Sequence, residues 1–215
     1  DVDGDGDLDV YVVQGQMLGD KPLGAAAVAP RTGLGDRLFR NDLVVHADGT
    51  RTLRFTDVTA SSGIDLHTYG MGVAAGDVDN DGWVDIYRTG FGRGAMLRND
   101  GRGSFTDVTA KSGTANEGGW SVSAAFLDYD RDGWLDLFVG NYVDYRVERD
   151  LDCQTVTGQP DYCPPNKFPA QRDRLYRNRG DGTFEDVTTR ALVGGAYGPA
   201  LGVAAAGFDG DGWID

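Results

Sequence analysis

Several things are scarce in this chain at once. Its 215 residues include two cysteines and two histidines, and 20 basic residues stand against 34 acidic ones. No apolar run approaches the ~18 residues that suggest a membrane-spanning helix. So little positive charge argues against nucleic acid as a partner. His46 and His67 sit in loops without neighbouring ligand residues and read as solvated side chains. There is no nucleophile motif, phosphate-binding loop or His-rich cluster. The length still allows a sizeable core in one or two domains.

What the chain has in quantity is glycine, 33 residues, and aspartate at fixed spacing. The stretch from Asp77 to Asp85 places Asp77, Asp79 and Asp81 at alternate positions. Gly82 then supplies a sharp turn, and Asp85 returns a fourth carboxylate. Four hard oxygens converging on one point repel one another unless a hard cation lies between them. Oxygen-only ligation on a flexible loop favours Ca2+ over Mg2+. The pattern recurs as Asp1, Asp3, Asp5, Gly6, Asp9 and as Asp128, Asp130, Asp132, Gly133, Asp136. A fourth copy keeps Asp209, Asp211 and Asp215 but has Gly207 at the first ligand position.

An EF-hand opens the same way but needs a bidentate Glu at position twelve. Here that position is Val12, Arg88 or Val139, and no helical pattern flanks the loops. The residues that follow are β-branched or aromatic, so each loop is the tip of a β-hairpin. Plain solvated Asp-Gly turns would not need four carboxylates at one spacing in three places. The loops also account for much of the acidity. They hold 16 of the 34 acidic residues, and four divalent ions would move the net charge from -14 to -6.

Internal repetition then sets the fold. A small-residue strand A precedes each loop, as in Gly72 to Gly76, Ser123 to Leu127 and Gly202 to Ala206. Strand B follows the loop. Strand C ends in Arg-Asn (Arg40-Asn41, Arg98-Asn99, Arg177-Asn178), and strand D reads Phe-x-Asp-Val-Thr from Phe55, Phe105 and Phe184. Four antiparallel strands per repeat make a propeller blade, with the small side chains of strand A innermost. The expected fold class is all-β, a β-propeller of four-stranded antiparallel blades with calcium loops in the A–B hairpins, here an incomplete propeller fragment. Its parts are 1–59, a partial blade lacking strand A; 70–109, a blade; 119–188, a blade with an insertion at 141–174; and 198–215, the start of a further blade. Because the chain starts inside one loop and stops at the end of another, it reads as a fragment, and the missing targeting segment says nothing about the intact protein.

The loops together with Leu-x-Arg-Asn-x-Gly-x-Gly-x-Phe-x-Asp-Val-Thr resemble the FG-GAP or VCBS repeats of calcium-binding β-propellers, related to the integrin α-chain head. Gly140-Asn141-Tyr142-Val143-Asp144 and Tyr162-Cys163-Pro164 look most like bacterial proteins related to cartilage acidic protein, often associated with an ASPIC/UnbV domain. The resemblance implies side-chain ligands at Asp1, Asp3, Asp5 and Asp9; Asp77, Asp79, Asp81 and Asp85; and Asp128, Asp130, Asp132 and Asp136. The seventh position, Asp7, Trp83 or Trp134, would add a backbone carbonyl. Gly207 puts the last set, Asp209, Asp211 and Asp215, in doubt.

Some residues invite a different reading. Trp83, Trp134 and Trp213 could stack on sugars, but their fixed place in the loop favours packing on a neighbouring hairpin, with Val84, Leu135 and Ile214 pointing into the core. Asp57, Asp107 and Asp186 resemble catalytic carboxylates, yet an active site is normally built once, so a strand-end hydrogen-bonding role fits their repetition. Cys153 and Cys163 read as a disulfide in an oxidising, calcium-rich exterior, with two buried free thiols as the alternative.

The leading expectation is a non-enzymatic, exported calcium-binding scaffold whose ion is structural. The alternatives are the scaffold of a secreted polysaccharide-acting enzyme or a glycan-binding module. Both long insertions, 14–36 and 141–174, are B-to-C connections and should share the face opposite the calcium loops, where an unidentified protein or glycan ligand is expected.

Overall fold

The computed structural model describes residues 1–15, 34–195, 198–211 and 214. The first sheet joins β1 (Val10–Val12), β2 (Arg37–Asn41) and β5 (Phe55–Asp57). A side hairpin of β3 (Val44–Val45) and β4 (Arg51–Thr52) interrupts it, and the helical turn α1 (Thr59–Ser62) follows. The second sheet is β6 (Gly70–Gly76), β7 (Asp85–Gly90), β8 (Ala95–Asn99) and β9 (Phe105–Asp107), followed by α2 (Thr109–Ser112). The third takes β10 (Ser121–Leu127) and β11 (Asp136–Asn141) and then detours through a hairpin of β12 (Cys153–Gln154) and β13 (Pro160–Asp161). It closes with β14 (Arg174–Asn178) and β15 (Phe184–Asp186).

Every pairing within these sheets is antiparallel, and spatial order follows chain order: β1-β2-β5, β6-β7-β8-β9 and β10-β11-β14-β15. These are strands B-C-D, A-B-C-D and A-B-C-D. The architecture is an all-β, incomplete β-propeller of four-stranded antiparallel blades, open rather than closed into a ring.

The core lies between blades. Along β7 side chains alternate between two faces, and all six residues are buried. Ile86 joins Val2, Leu38, Ile64, Leu97 and Phe105 toward the first sheet, while Tyr87 joins Met96, Leu137, Val139, Tyr176 and Phe184 toward the third. A strand covered on both sides has no use for the apolar–polar alternation of a half-solvated strand. The A strands β6 and β10 pack against each other. At Gly72 an added Cβ would sit 2.5 Å from the Val122 carbonyl oxygen, so glycine is required by the close approach.

The loops at 77–84 and 128–135 and the turns at 100–104 and 179–183 all lie at one end of the strands. The described ends of the first B-to-C connection, 13–15 and 34–36, and the second connection, 142–173, lie at the other end of the strands from the acidic loops.

One expectation is corrected at the C-terminal end. Residues 201–207 form no strand; the segment runs beside the third sheet, with Val203 N donating to Ser123 Oγ at 3.2 Å and Ala200 N to the Asn141 carbonyl at 3.0 Å. A strand A acquires its ladder from the strand B after the loop, and none follows here among the described residues. Ile214 is 41% exposed rather than core-facing. Trp213, Asp215 and most of the 14–36 insertion lie outside the described residues.

Candidate metal centres

Each loop is wound around its first aspartate. Asp77 accepts from Asp81 N through Oδ1 (3.1 Å) and Gly82 N through Oδ2 (2.9 Å). Asp128 repeats this with Asp132 N (3.1 Å) and Gly133 N (3.0 Å), while Asp1 accepts one position earlier, from Gly4 N (2.7 Å), as well as from Gly6 N (2.9 Å). The winding needs two left-handed residues, not only the glycine at position six: Gly82 has φ 90° and Asn80, at position four, φ 56°.

The ninth-position aspartates are structural as well as acidic. Asp85 is fully buried, accepting from Val78 N at 2.9 Å and Asn99 N at 2.8 Å, which ties loop to strand C. Asp136 accepts from Tyr129 N (3.2 Å) and Asn178 N (2.8 Å), and Asp9 from Val2 N (2.7 Å) and Asn41 N (2.9 Å). Burial, reinforced by the charges of Asp79 and Asp81, pushes the Asp85 carboxyl up to about 6 despite its two backbone hydrogen bonds. Burial, with Asp130 and Asp132 beside it, likewise raises Asp136 to about 6.

The third-position aspartates carry the informative atom. Asp79 Oδ2 accepts from Arg98 Nε at 2.7 Å and Asp130 Oδ2 from Arg177 Nε at 2.6 Å, which turns the other oxygen of each inward. Those oxygens, Asp79 Oδ1 and Asp130 Oδ1, together with Asp3 Oδ1, are buried without a hydrogen-bond partner. Ligand oxygens of Asp77, Asp79 and Asp85 lie within 4.8 Å of one another, as do those of Asp128, Asp130 and Asp136, and of Asp1, Asp3 and Asp5. Asp81 and Asp132 are turned partly outward, each accepting from the motif arginine, Arg98 Nη2 at 3.3 Å and Arg177 Nη2 at 2.7 Å. Asp209 Oδ1 accepts from Asp211 N at 3.1 Å, and that loop forms no acidic group with its neighbours among the described residues.

A buried carboxylate oxygen without a donor is costly. Three in register, each among further carboxylates, make a donor set that a hard cation would satisfy. The donor set is all oxygen, so it fits Ca2+.

The remaining sequence candidates fall where repetition places them. The Trp83 ring covers Gly101 of its own blade and reaches Gly4 of the neighbouring loop, where a Cβ would come within 3.2 and 3.0 Å of it; Trp134 covers Gly180 in the same way. Asp57, Asp107 and Asp186 accept from Thr59 N, Thr109 N and Thr188 N at 3.0, 2.9 and 3.0 Å, so they are strand-end fasteners. Cys153 and Cys163 form a disulfide.

Three groups escaped sequence reasoning. The motif asparagine is a joint between blades: Asn99 Nδ2 donates to the Val2 carbonyl at 2.9 Å and Asn178 Nδ2 to the Val78 carbonyl at 2.7 Å, in each case a residue of the preceding acidic loop. The motif arginine is the clamp described above. Both were visible as the recurring Arg-Asn, whose function needed three dimensions. The third is a buried ion pair, Arg88 Nε to Asp36 Oδ2 at 3.0 Å, linking the second sheet to the end of the first insertion. Its one hint was that Arg88 stands where the other copies have Val12 and Val139.

Comparison with known proteins gives a family match along most of the chain: a model of the FG-GAP-like repeat matches residues 1–88, 77–139 and 164–215. Cartilage acidic protein 1 of Mus musculus is 31% identical over 91 residues, 42% of this chain and 14% of that protein, and the Homo sapiens protein matches to the same extent. The Xenopus tropicalis protein is 30% identical over 88 residues, 40% of this chain and 14% of its own length. The matched stretch thus spans about one seventh of these relatives.

Proposed function

The chain belongs to the FG-GAP-like repeat family, and from that premise we propose that it is a calcium-binding propeller segment of an exported protein, a binding or adhesion scaffold rather than an enzyme. The ligand sets are Asp1, Asp3, Asp5, Asp7 and Asp9; Asp77, Asp79, Asp81, Trp83 and Asp85; and Asp128, Asp130, Asp132, Trp134 and Asp136, with Asp7, Trp83 and Trp134 contributing backbone carbonyls. Asp209, Asp211 and Asp215 form a weaker fourth set. The supporting observation is the unpartnered inward oxygen on Asp3, Asp79 and Asp130.

In this reading the ion cancels the repulsion among the carboxylates. The protein's own residues do the rest. Arg98 and Arg177 orient the third-position carboxylates, Asp85 and Asp136 fasten the loops to strand C, and Asn99 and Asn178 pass that order to the preceding blade. The disulfide and the calcium loops both suit an oxidising, calcium-rich exterior. The partner face is the one bearing insertions 14–36 and 141–174, since long loops on a rigid scaffold carry recognition.

Calorimetric titration of the full-length protein, stripped with chelator, tests the calcium reading. Dissociation constants of ~0.1 to 1 mM are expected, with Asp79→Asn and Asp130→Asn each removing one site. Absence of calcium binding, or variants that keep every site, overturns it.

A further inference from the structure

The residue that follows the Arg-Asn motif differs in each blade: it is Asp42, Asp100 or Arg179. The motif arginine changes its partners in step. In the first blade Arg40 Nε donates to Asp42 Oδ1 at 2.7 Å, and Thr56 Oγ1 fixes the same carboxylate through Oδ2. Arg40 then makes no hydrogen bond or ion pair with Asp3 or Asp5 among the described residues. In the second blade the guanidinium is shared. Arg98 Nη1 lies 3.5 Å from Asp100 Oδ1, while Nε reaches Asp79 at 2.7 Å and Nη2 reaches Asp81 at 3.3 Å. Asp100 is itself held by Thr106 Oγ1 at 2.6 Å.

In the third blade the outer acid is gone. Arg179 pairs at 3.6 Å with Glu185, which stands where the other blades have Thr56 and Thr106. Arg177 turns wholly to its loop, with Asp130 at 2.6 Å and Asp132 at 2.7 Å. The arginine contact on the fifth-position aspartate is therefore absent, long and short in the three blades.

A guanidinium and a metal ion are both cations, so they compete for the same carboxylate oxygens. The inward groups follow that competition. The first loop gathers Asp5 with Asp1 and Asp3, whereas the second and third gather Asp85 and Asp136 with their first and third aspartates and leave Asp81 and Asp132 out. We propose that Asp42, Asp100 and Arg179 grade the loops in calcium affinity, first above second above third, by setting how much of the motif arginine competes for the fifth-position aspartate. They are positioning residues outside the ligand sets, acting through Arg40, Arg98 and Arg177. The inference rests on the calcium reading above.

The probe is calcium itself, titrated into chelator-stripped full-length protein carrying 15N-labelled glycine. Salt is held at about 0.15 M, where exposed charges more than ~8 Å apart are largely screened. The amides of Gly6, Gly82 and Gly133, which donate to Asp1, Asp77 and Asp128, report the loops one by one. Asp3→Asn, Asp79→Asn and Asp130→Asn assign them, each silencing one signal. Midpoints should rise from Gly6 to Gly82 to Gly133, by about fivefold from first to last, the scale of one partly exposed ion pair. Asp42→Ala, which frees Arg40, should raise the Gly6 midpoint by about fivefold. Arg179→Asp with Glu185→Thr gives the third blade the residues of the second and should lower the Gly133 midpoint about two- to threefold. In an Arg177→Met background the same swap should leave that midpoint unchanged, because no arginine remains to be drawn away. Equal or reordered midpoints, an Asp42→Ala protein that titrates like the wild type, or a swap that acts equally without Arg177 overturns the grading and leaves calcium binding standing. No calcium-dependent shift at any of the three glycines overturns the calcium reading, and the grading with it.

Discussion

The pair Arg88–Asp36 gives the sharpest test of how the blades are joined. Both side chains are 0% exposed, and Asp36 also accepts from Tyr11 Oη and Gln14 N, each at 2.8 Å. The Arg88 guanidinium donates further to Thr68 Oγ1 at 2.7 Å and to the Thr68 carbonyl. Arg88→Met preserves the stem but strands a buried carboxylate, which costs about 3–5 kcal/mol. Adding Asp36→Asn removes the stranded charge; the amide oxygen still accepts from Gln14 N, and the amide NH2 can donate to Tyr11 Oη in place of the hydrogen bond it now receives. The double variant should therefore lose only the value of the missing hydrogen bonds, about 1–2 kcal/mol. The double variant is thus expected to be about 2–3 kcal/mol more stable than Arg88→Met alone, so the two single costs do not add. Urea unfolding of the full-length protein in saturating calcium measures all four corners of the cycle. If Arg88→Met costs less than about 1 kcal/mol, or the two substitutions add, the pair is not the joint described here.

Other expectations follow from the loops and turns. At about 1 mM calcium, a site near the tight end of the extracellular range gains roughly 1.4 kcal/mol and three such sites ~4 kcal/mol; chelator should therefore lower the melting temperature well beyond a matched salt control, and equal melting in both would contradict structural calcium. Asp79→Asn should blunt that calcium response more than Asp211→Asn, a ranking read from the same melts. Asn178→Ala leaves the Val78 and Leu135 carbonyls and Gly180 N without their partners, a loss of about 3 kcal/mol or more by denaturant unfolding; a loss below about 1 kcal/mol would show that the joint is dispensable. Gly180→Ala, at φ 72° with its Cβ 2.8 Å from Trp134 Cε2, should cost about 1–3 kcal/mol and shift tryptophan emission as the ring is displaced.

Repetition made the acidic loops, the strands of the three sheets and the roles of Asp57, Asp107 and Asp186 readable, because a feature seen three times cannot be an accident of one turn, although the third small-residue stretch, Gly202 to Ala206, forms no strand. What occurs once gave no such signal. The hairpin β3–β4 and the paired tip β12–β13 sit inside connections with no second copy. The helical turns Thr59–Ser62 and Thr109–Ser112 are too short to leave a helical period. Asp36 and Arg88 are 52 residues apart and meet only through blade packing. The aspartates were found as a set, but not which of their oxygens face inward, since that depends on Arg98 and Arg177 arriving from strand C.

The asparagine joints also set a clock on biosynthesis. Asn99 closes on a carbonyl 97 residues earlier, and Asn178 on one 100 residues earlier. At about 5–20 residues per second, a nascent acidic loop waits roughly 5–20 s for the side chain that locks it. Until then the outer face of each newly made blade has no neighbour, so the growing chain presents a moving apolar front that advances one blade at a time. Any factor that shields this front during elongation has to release it in the same sequence, from the amino-terminal blade onward.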